Sequence, residues 1–484
     1  MKNIKTYRNQ IVFFTLVTFL WGGLICTSSM AFGAEAPVRK SSPEKIAGTT
    51  GQSSSDKLGK SSSKKKEAPK SKKKRLKPLL FKDLIENKIR ESKSLKTAEL
   101  AMKTANAQVS AAKAKWLPTL DLTVDLGHED QVKPNAADTR ESFDEVGIEI
   151  KQKLFDFGKT SNDIAVSKIT ADNAQLSYRQ NLQTTILSGL QVYTSLIAAS
   201  ESLRFANASE TRLKKAFGTE EFRVRRGSGL RSDLLQVRRQ LAGARRTSLN
   251  AQLAFNSALD QFRTFYEVTK VNVSQLSYPK INQKIIPKKL DVVIAKALKS
   301  PTSIQRQSSV KSARLAYENS KTTLWLPTFD LTLSAKRKDD VGGTLDRKNE
   351  VMAKVTMKYP LFSGGTHYIG SRNAYRGLET AQLSADDFVW NLKSQVRSQW
   401  RQYLNSQANY NFASNEANIA FDFYKIVEKE RAMNKRSVFE LISAELAYYS
   451  AEMARNGARS GIVTSQAALL ATMGELDVNQ FNIR

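Results

Sequence analysis

Trp116-Leu117-Pro118-Thr119-Leu120-Asp121-Leu122-Thr123 returns as Trp325-Leu326-Pro327-Thr328-Phe329-Asp330-Leu331-Thr332, at an offset of 209. Leu154-Phe155-Asp156-Phe157-Gly158 returns as Leu361-Phe362-Ser363-Gly364-Gly365, and Ala174-Gln175-Leu176-Ser177 as Ala381-Gln382-Leu383-Ser384, both at 207. One unit is therefore written twice. The two residues of difference fall between the first two motifs, where a loop absorbs them. The boundaries are drawn at 78–275 for the first unit and 288–475 for the second, with a linker over 276–287 and a tail over 476–484.

Each unit reads as a helix, a strand hairpin and then two very long helices. After Trp116, the apolar Leu120, Leu122, Val124 and Leu126 alternate with Asp121, Thr123 and Asp125; Val146, Ile148 and Ile150 alternate with Gly147, Glu149 and Lys151. The second copy shows Phe329, Leu331 and Leu333 against Asp330, Thr332 and Ser334, then Val351, Ala353, Val355 and Met357 against Lys354, Thr356 and Lys358. Period two predicts strands with one greasy and one wet face. Pro118 and Pro327 mark where a helix stops and a strand begins. Polar loops, Glu129 to Asp144 and Lys336 to Asn349, are expected to join each hairpin.

Around the hairpins the spacing turns helical. Leu182, Ile186, Leu190 and Tyr193 recur as Leu392, Val396, Trp400 and Tyr403, and Leu234, Val237, Leu241 and Ala244 as Leu441, Ala444, Tyr448 and Ala451. Steps of three and four are a coiled-coil seam. No proline lies between 135 and 278, and none after Pro360. A helix from Ser161 to about Val224 would run roughly 95 Å at 1.5 Å per residue, one of the two very long helices expected in each unit. They are too polar to lie in lipid.

Four strands of this pattern fit the wall of a transmembrane β-barrel, but four cannot close. Eight would leave an interior nearly filled by side chains. Twelve, from three copies, would leave a polar lumen lined by Asp121, Thr123, Asp125, Glu149, Asp330 and Thr332. The competing reading is a soluble coiled-coil protein with ordinary hairpins.

The N-terminus supports the envelope reading. Lys2, Lys5 and Arg8 precede an apolar run from Ile11 to Cys26 and then Ala31, Gly33, Ala34 and Ala36, the layout of a secretory signal peptide over 1–34, cleaved after Gly33 or Ala34. Cys26 is the alternative, a lipidation site, although Ile25 before it is larger than such signals usually carry. Residues 35–77 read as a disordered Lys/Ser-rich linker. Between Pro37 and Lys77 stand 14 basic and 3 acidic residues, either a solvated spacer or an attachment to an anionic surface. The chain's net charge of +30 suggests nucleic acid, but this segment supplies much of it. The Arg-flanked Gly227-Ser228-Gly229 turn lacks interleaved aromatics and sits in the wrong compartment, so no nucleic acid partner is expected.

The duplicated unit, the strand entry at Trp116, the strand exit at Leu154 and the long proline-free helices together resemble the TolC-like outer membrane efflux family over residues 79 to 475. The resemblance implies a homotrimer: a 12-strand barrel in outer membrane lipid, continued by an α-helical periplasmic tunnel. It implies work with a periplasmic adaptor (membrane fusion) protein and an inner-membrane ABC or RND pump, and a conduit rather than an enzyme. The fold class expected is thus an internally duplicated α+β membrane protein. The Lys-rich N-terminal extension and the high positive charge depart from the family's pattern.

No catalytic, metal or cofactor site is expected. One Cys and two His leave too few soft ligands for zinc or haem, and His128 and His367 lack partners at ligand spacing. The informative sites are the two helix-to-helix turns, Phe222 to Gln236 and Arg431 to Ser443. By resemblance these are the periplasmic tips. Gly227 supplies the first turn and Asn434 stands for the usual glycine in the second. Asp233 and Glu440 correspond at offset 207. The resemblance makes Glu440 the tunnel constriction and an Arg436–Asp233 bond the latch that keeps it shut; Ser443 replaces a second ring acid. The residues alone equally support a bland reading, in which both acids favour helix N-termini behind Ser232 and Ser437 as N-caps.

Three functions remain open on the sequence. Type I protein secretion is favoured by the Leu441-Ile442-Ser443-Ala444-Glu445 stretch and the weak lipidation signal. Small-molecule efflux and a non-conducting envelope tether are the alternatives.

Overall fold

A computed structural model describes residues 80–482, apart from 133, 135–137, 344–345 and 434. The signal peptide, the Lys-rich linker and Asn434 lie outside the described residues. The chain runs α1 (Phe81–Glu91), α2 (Lys93–Ala114), β1 (Thr119–Gln131), β2 (Thr139–Phe155), α3 (Lys159–Arg225) and α4 (Arg231–Tyr266). A short strand β3 (Lys280–Ile281) and α5 (Leu290–Ala297) lead to the second copy. That copy is α6 (Pro301–Trp325), β4 (Thr328–Asp339), β5 (Arg347–Lys358), α7 (Thr366–Ala432) and α8 (Val438–Thr472), closed by β6 (Phe481–Asn482).

The four long strands form one antiparallel sheet in the order β1-β2-β4-β5. Its register decides which face each side chain occupies. Leu120 lies opposite Ile150, Ile150 opposite Leu333 and Leu333 opposite Ala353; one pair further, Leu122, Ile148, Ala335 and Val351 are aligned. The apolar sets of both copies thus share one face. A slip of one residue in any strand would put its leucines among the acids. This greasy face is uncovered: Leu120 is 70% exposed, Leu126 75% and Val351 85%. The ten residues of β2 from Val146 to Phe155 span about 33 Å, and the usual tilt brings that to about 25 Å, the height of an outer-membrane apolar band. Exposed Trp325, Tyr359 and Phe362 stand at the helix end of the sheet, where interfacial aromatics belong.

The strands run further than the alternation predicts. Arg140 donates to Asp130 at 2.9 Å and Arg347 to Asp339 at 3.1 Å, so charged cross-strand pairs extend both hairpins after the apolar pattern has ended, and the loops are shorter than expected.

The strand exit is a tight reversal. Phe157 and Gly158 take φ of 52° and 91°, and Gly364 and Gly365 take 62° and 78°. The second copy uses glycine at both positive-φ sites, whereas the first places a phenylalanine in a conformation that costs any residue with a Cβ. Buried Asp156 accepts from the Thr160 backbone N–H at 2.9 Å, anchoring the start of α3.

Only the first helix after each hairpin is very long. The helices α3 and α7 have 67 residues each, α4 and α8 only 36 and 35. The two helices of each unit are unequal because α4 stops half-way up α3, at Glu267 in the left-handed region. From there on α2 takes its place, and α6 does the same beside α7. Four helices therefore stand side by side at every height, in the order α4–α3–α8–α7 in the half away from the sheet. At mid-height a belt of α1, α5, β3 and β6 packs on them. Phe81 is wedged edge-on against Tyr193 at 5.3 Å and Phe481 at 4.8 Å, in a core with Leu190, Phe262 and Leu470.

Candidate functional site

The far end of the helix bundle carries the two turns. In the first, Gly227 (φ +73°) donates from its N–H to the Val224 carbonyl at 3.0 Å, and the Ser228 N–H reaches Arg223 O at 3.0 Å. These bonds close α3 in the manner of a glycine C-cap. The next helix starts at Arg231 behind Leu230, which provides no side-chain cap. Ser232 is therefore already inside the first turn, and its expected N-cap role is not realised. Asp233 stands in that turn and forms no ion pair among the described residues.

The second turn is tied down by its side chains. Ser437 is the N-cap of α8, accepting from Glu440 N–H at 3.1 Å while Glu440 accepts from Ser437 N–H at 2.8 Å, a complete capping box. Arg436 donates to Glu430 at 2.7 Å and to Glu440 at 2.9 Å. The Ser437 N–H and the Arg436 guanidinium both hold the Glu440 carboxyl below the usual carboxylate range. Within one chain Arg436 thus does not bond to Asp233. The nearer acids on its own hairpin capture it, and the expected latch is not a contact of the single chain.

The two hairpins are joined elsewhere. Arg212, 13 residues before the end of α3, sends Nε to Glu445 on α8 at 2.8 Å and an amino group to Glu428 on α7 at 3.3 Å. It also donates to the Tyr424 hydroxyl. Tyr424 donates to Glu428 at 3.0 Å, and Tyr449 to Glu445 at 3.2 Å. Glu445 is 9% exposed, so its carboxylate is satisfied by Arg212 and the Tyr449 hydroxyl rather than by solvent. The pairing raises the arginine's pKa, through the Glu445 bond first, while burial pushes the Tyr424 hydroxyl up to about 12. Nearer the tip, buried Glu220 bonds Arg223 at 3.2 Å and faces Arg431 of α7 at 3.9 Å. Neither arginine bridge was read from the sequence. The cue was present as an arginine on one hairpin and acids on the other, but nothing in one dimension pairs them.

At the opposite end, Asp121, Asp125, Glu149 and Asp330 do share the polar face of the sheet. Asp121 lies opposite Glu149, Asp125 opposite Glu145, and Asp330 opposite Lys153. The face is not simply acidic. Lys336 reaches Glu145 at 2.8 Å, Lys338 reaches Glu350 at 3.0 Å and Lys151 reaches Glu149 at 3.1 Å. The alternation places Lys151 on this face; Lys336 and Lys338, which lie in the stretch expected to be loop, complete the mixed-charge surface.

Residues 84–265 and 293–475 match the family model described as outer membrane efflux protein. The chain belongs to the outer membrane efflux protein family. Among its relatives is the outer membrane efflux protein BepC of Brucella suis, 21% identical over 81% of this chain and 84% of that protein. Another is the alkaline protease secretion protein AprF of Pseudomonas aeruginosa, 23% identical over 68% of this chain and 69% of that one. The Campylobacter jejuni CmeC outer membrane channel superposes with a TM-score of 0.69 at 16% identity, covering 82% of this chain and 87% of CmeC.

For this efflux protein the greasy sheet face is the membrane face. The sheet lies in the outer membrane and the helices reach into the periplasm. No helix among the described residues is long and apolar enough to cross a membrane, and no group of His, Cys, Asp and Glu among them could hold a metal ion. The turns at the far end are then the periplasmic tips.

Proposed function

We propose that three copies of this chain close a conduit, and that it exports protein substrates delivered by an inner-membrane ABC pump through a periplasmic adaptor. The observation that carries the proposal is a pair of open edges. In the sheet, β1 and β5 are each paired on one side only. In the half of the bundle away from the sheet, α7 and α4 are the outer helices of the α4–α3–α8–α7 row among the described residues. Along α7 the exposed Tyr368 and Tyr375, Leu383 and Trp390, and Phe412 and Ile419 are seven residues apart within each pair, and Leu249 and Leu253 are exposed on α4. This is a coiled-coil seam with no second helix. Both edges differ from each other, so copies join head to tail and the ring must close by rotation. Three copies give twelve strands.

In that ring the mixed-charge sheet face, with Asp121, Asp125, Glu149 and Asp330, lines the conduit and Glu440 rings the closed mouth. Closure is set by Arg212 on Glu445 and Glu428 rather than by Arg436 on Asp233. The lean to protein cargo is supported by the secretion relative AprF; BepC, whose name says efflux, supports a second reading in which small molecules pass. Deleting the gene separates the two. Loss of specific proteins from the culture medium, with antibiotic susceptibility unchanged, is expected; the converse pattern would favour the second reading.

A further inference from the structure

On the tip side of the mid-height belt the helices form a charged pocket of about 300 Å³, the size of a small-metabolite site. Glu201, Arg204 and Phe205 stand three and four residues apart on α3, so they share one face. Tyr448, Glu452, Arg455, Asn456 and Arg459 follow the same spacing on α8, and Tyr410 and Ser414 on α7 close the third side. The pocket therefore collects three guanidinium groups and two carboxylates from helices of both copies, and the export reading gives them no task.

Some of these groups are already satisfied. Glu452, 7% exposed, accepts from Arg455 at 2.6 Å. Asn456 donates to the Ala198 carbonyl at 2.9 Å and accepts from the Tyr278 hydroxyl at 2.7 Å. What is left is Arg204, Arg459 and Glu201, none of them in a salt bridge among the described residues. Each of the two guanidinium groups lies over a ring instead, Arg204 over Phe205 and Arg459 over Tyr278, both at 4.8 Å. A ring holds a cation in place without neutralising it. A plain anion would suit the arginines but would be repelled by Glu201. The complement of two cations and one carboxylate is a molecule with two negative charges and one ammonium, and the hydroxyls of Tyr410 and Ser414 add donors for its acid oxygens.

We propose that this pocket binds a small ligand of that kind, its acid groups on Arg204 and Arg459 and its ammonium on Glu201. An acidic amino acid has this chemistry, and so does the phosphate ester of an amino alcohol. The two arginines stand on α3 and α8, so the ligand links the two helical hairpins, about 12 Å from Arg212 along α3 at 1.5 Å per residue. Its binding does not depend on which cargo passes. The test is isothermal titration calorimetry of the detergent-solubilised full chain with L-glutamate and with phosphoethanolamine at one ionic strength. Saturable binding of either upholds the class, and the tighter one identifies the source. The same probe without its amino group, glutarate or ethyl phosphate, should bind about tenfold more weakly, the loss of one charge-assisted hydrogen bond. Arg204→Gln and Arg459→Gln should each weaken the amino probe by about tenfold as well. Glu201→Gln should weaken the amino probe and tighten its deaminated partner, a reversal that a damaged fold cannot produce. The inference is overturned if neither amino probe binds, if the deaminated partner binds the parent equally well, if either arginine variant binds like the parent, or if Glu201→Gln leaves the preference unchanged.

Discussion

In the proposed conduit, Arg212 is the residue that holds the periplasmic end closed. It bonds to both helices of the opposite hairpin, and its removal would leave Glu445 buried with only a tyrosine hydroxyl beside it. Breaking a half-buried pair of this kind costs about 1–3 kcal/mol through the acid left unsatisfied. Arg212→Gln should therefore raise single-channel conductance and antibiotic leak while the assembly persists, and Asp233→Ala should leave both at the parent level. A closed Arg212→Gln channel in planar bilayers would remove the clamp from the account. The second turn adds a pH dependence. Glu440 titrates below its unfolded value, so its contribution is complete above an unfolded pKa of about 4.3 and is lost as pH falls through the lower folded value. Conductance recorded against pH should rise only below about 4, and Glu440→Gln should abolish that rise. A further change, Ser437→Ala, removes one bond of the capping box and should cost about 1 kcal/mol, measured as a lower denaturant midpoint.

Among the elements, α7 and the sheet edges carry the prediction. Phe412 is 74% exposed and Ile419 60% on a helix that is otherwise well packed against α8. Phe412→Asp with Ile419→Asp should split the assembly into single chains that keep their helical circular dichroism, since neither side chain belongs to the core of the chain. An intact oligomer on size-exclusion chromatography would mean that the seam is not the interface. Elements were also where the sequence was most legible. Period two at Leu120 to Leu126 and heptads at Leu182 to Tyr193 identify strand and helix because each pattern is local. What escaped was set by distance. That α4 would end half-way along α3 depends on α2 returning to cover the rest. The Arg212 clamp joins residues more than 200 apart in the chain, and the lysines facing Glu149 and Glu145 enter from strands of both copies. Duplication and alternation are written along the chain; partner choice across it is not.

As a whole molecule the single chain is unfinished, with a four-stranded sheet greasy on one face and charged on the other, above a four-helix slab with a bare apolar seam. Neither open edge is stable in water or lipid, because unpaired strand edges leave backbone donors and acceptors unsatisfied in hydrocarbon. Repeating the chain by rotation removes both at once, and membership of an outer membrane efflux family makes the closed form a conduit between periplasm and exterior. The central claim is therefore the number of chains. Native mass spectrometry of the detergent-extracted protein measures it directly: the account predicts three chains and no smaller species at low activation, whereas one chain, or two with eight strands, would contradict it.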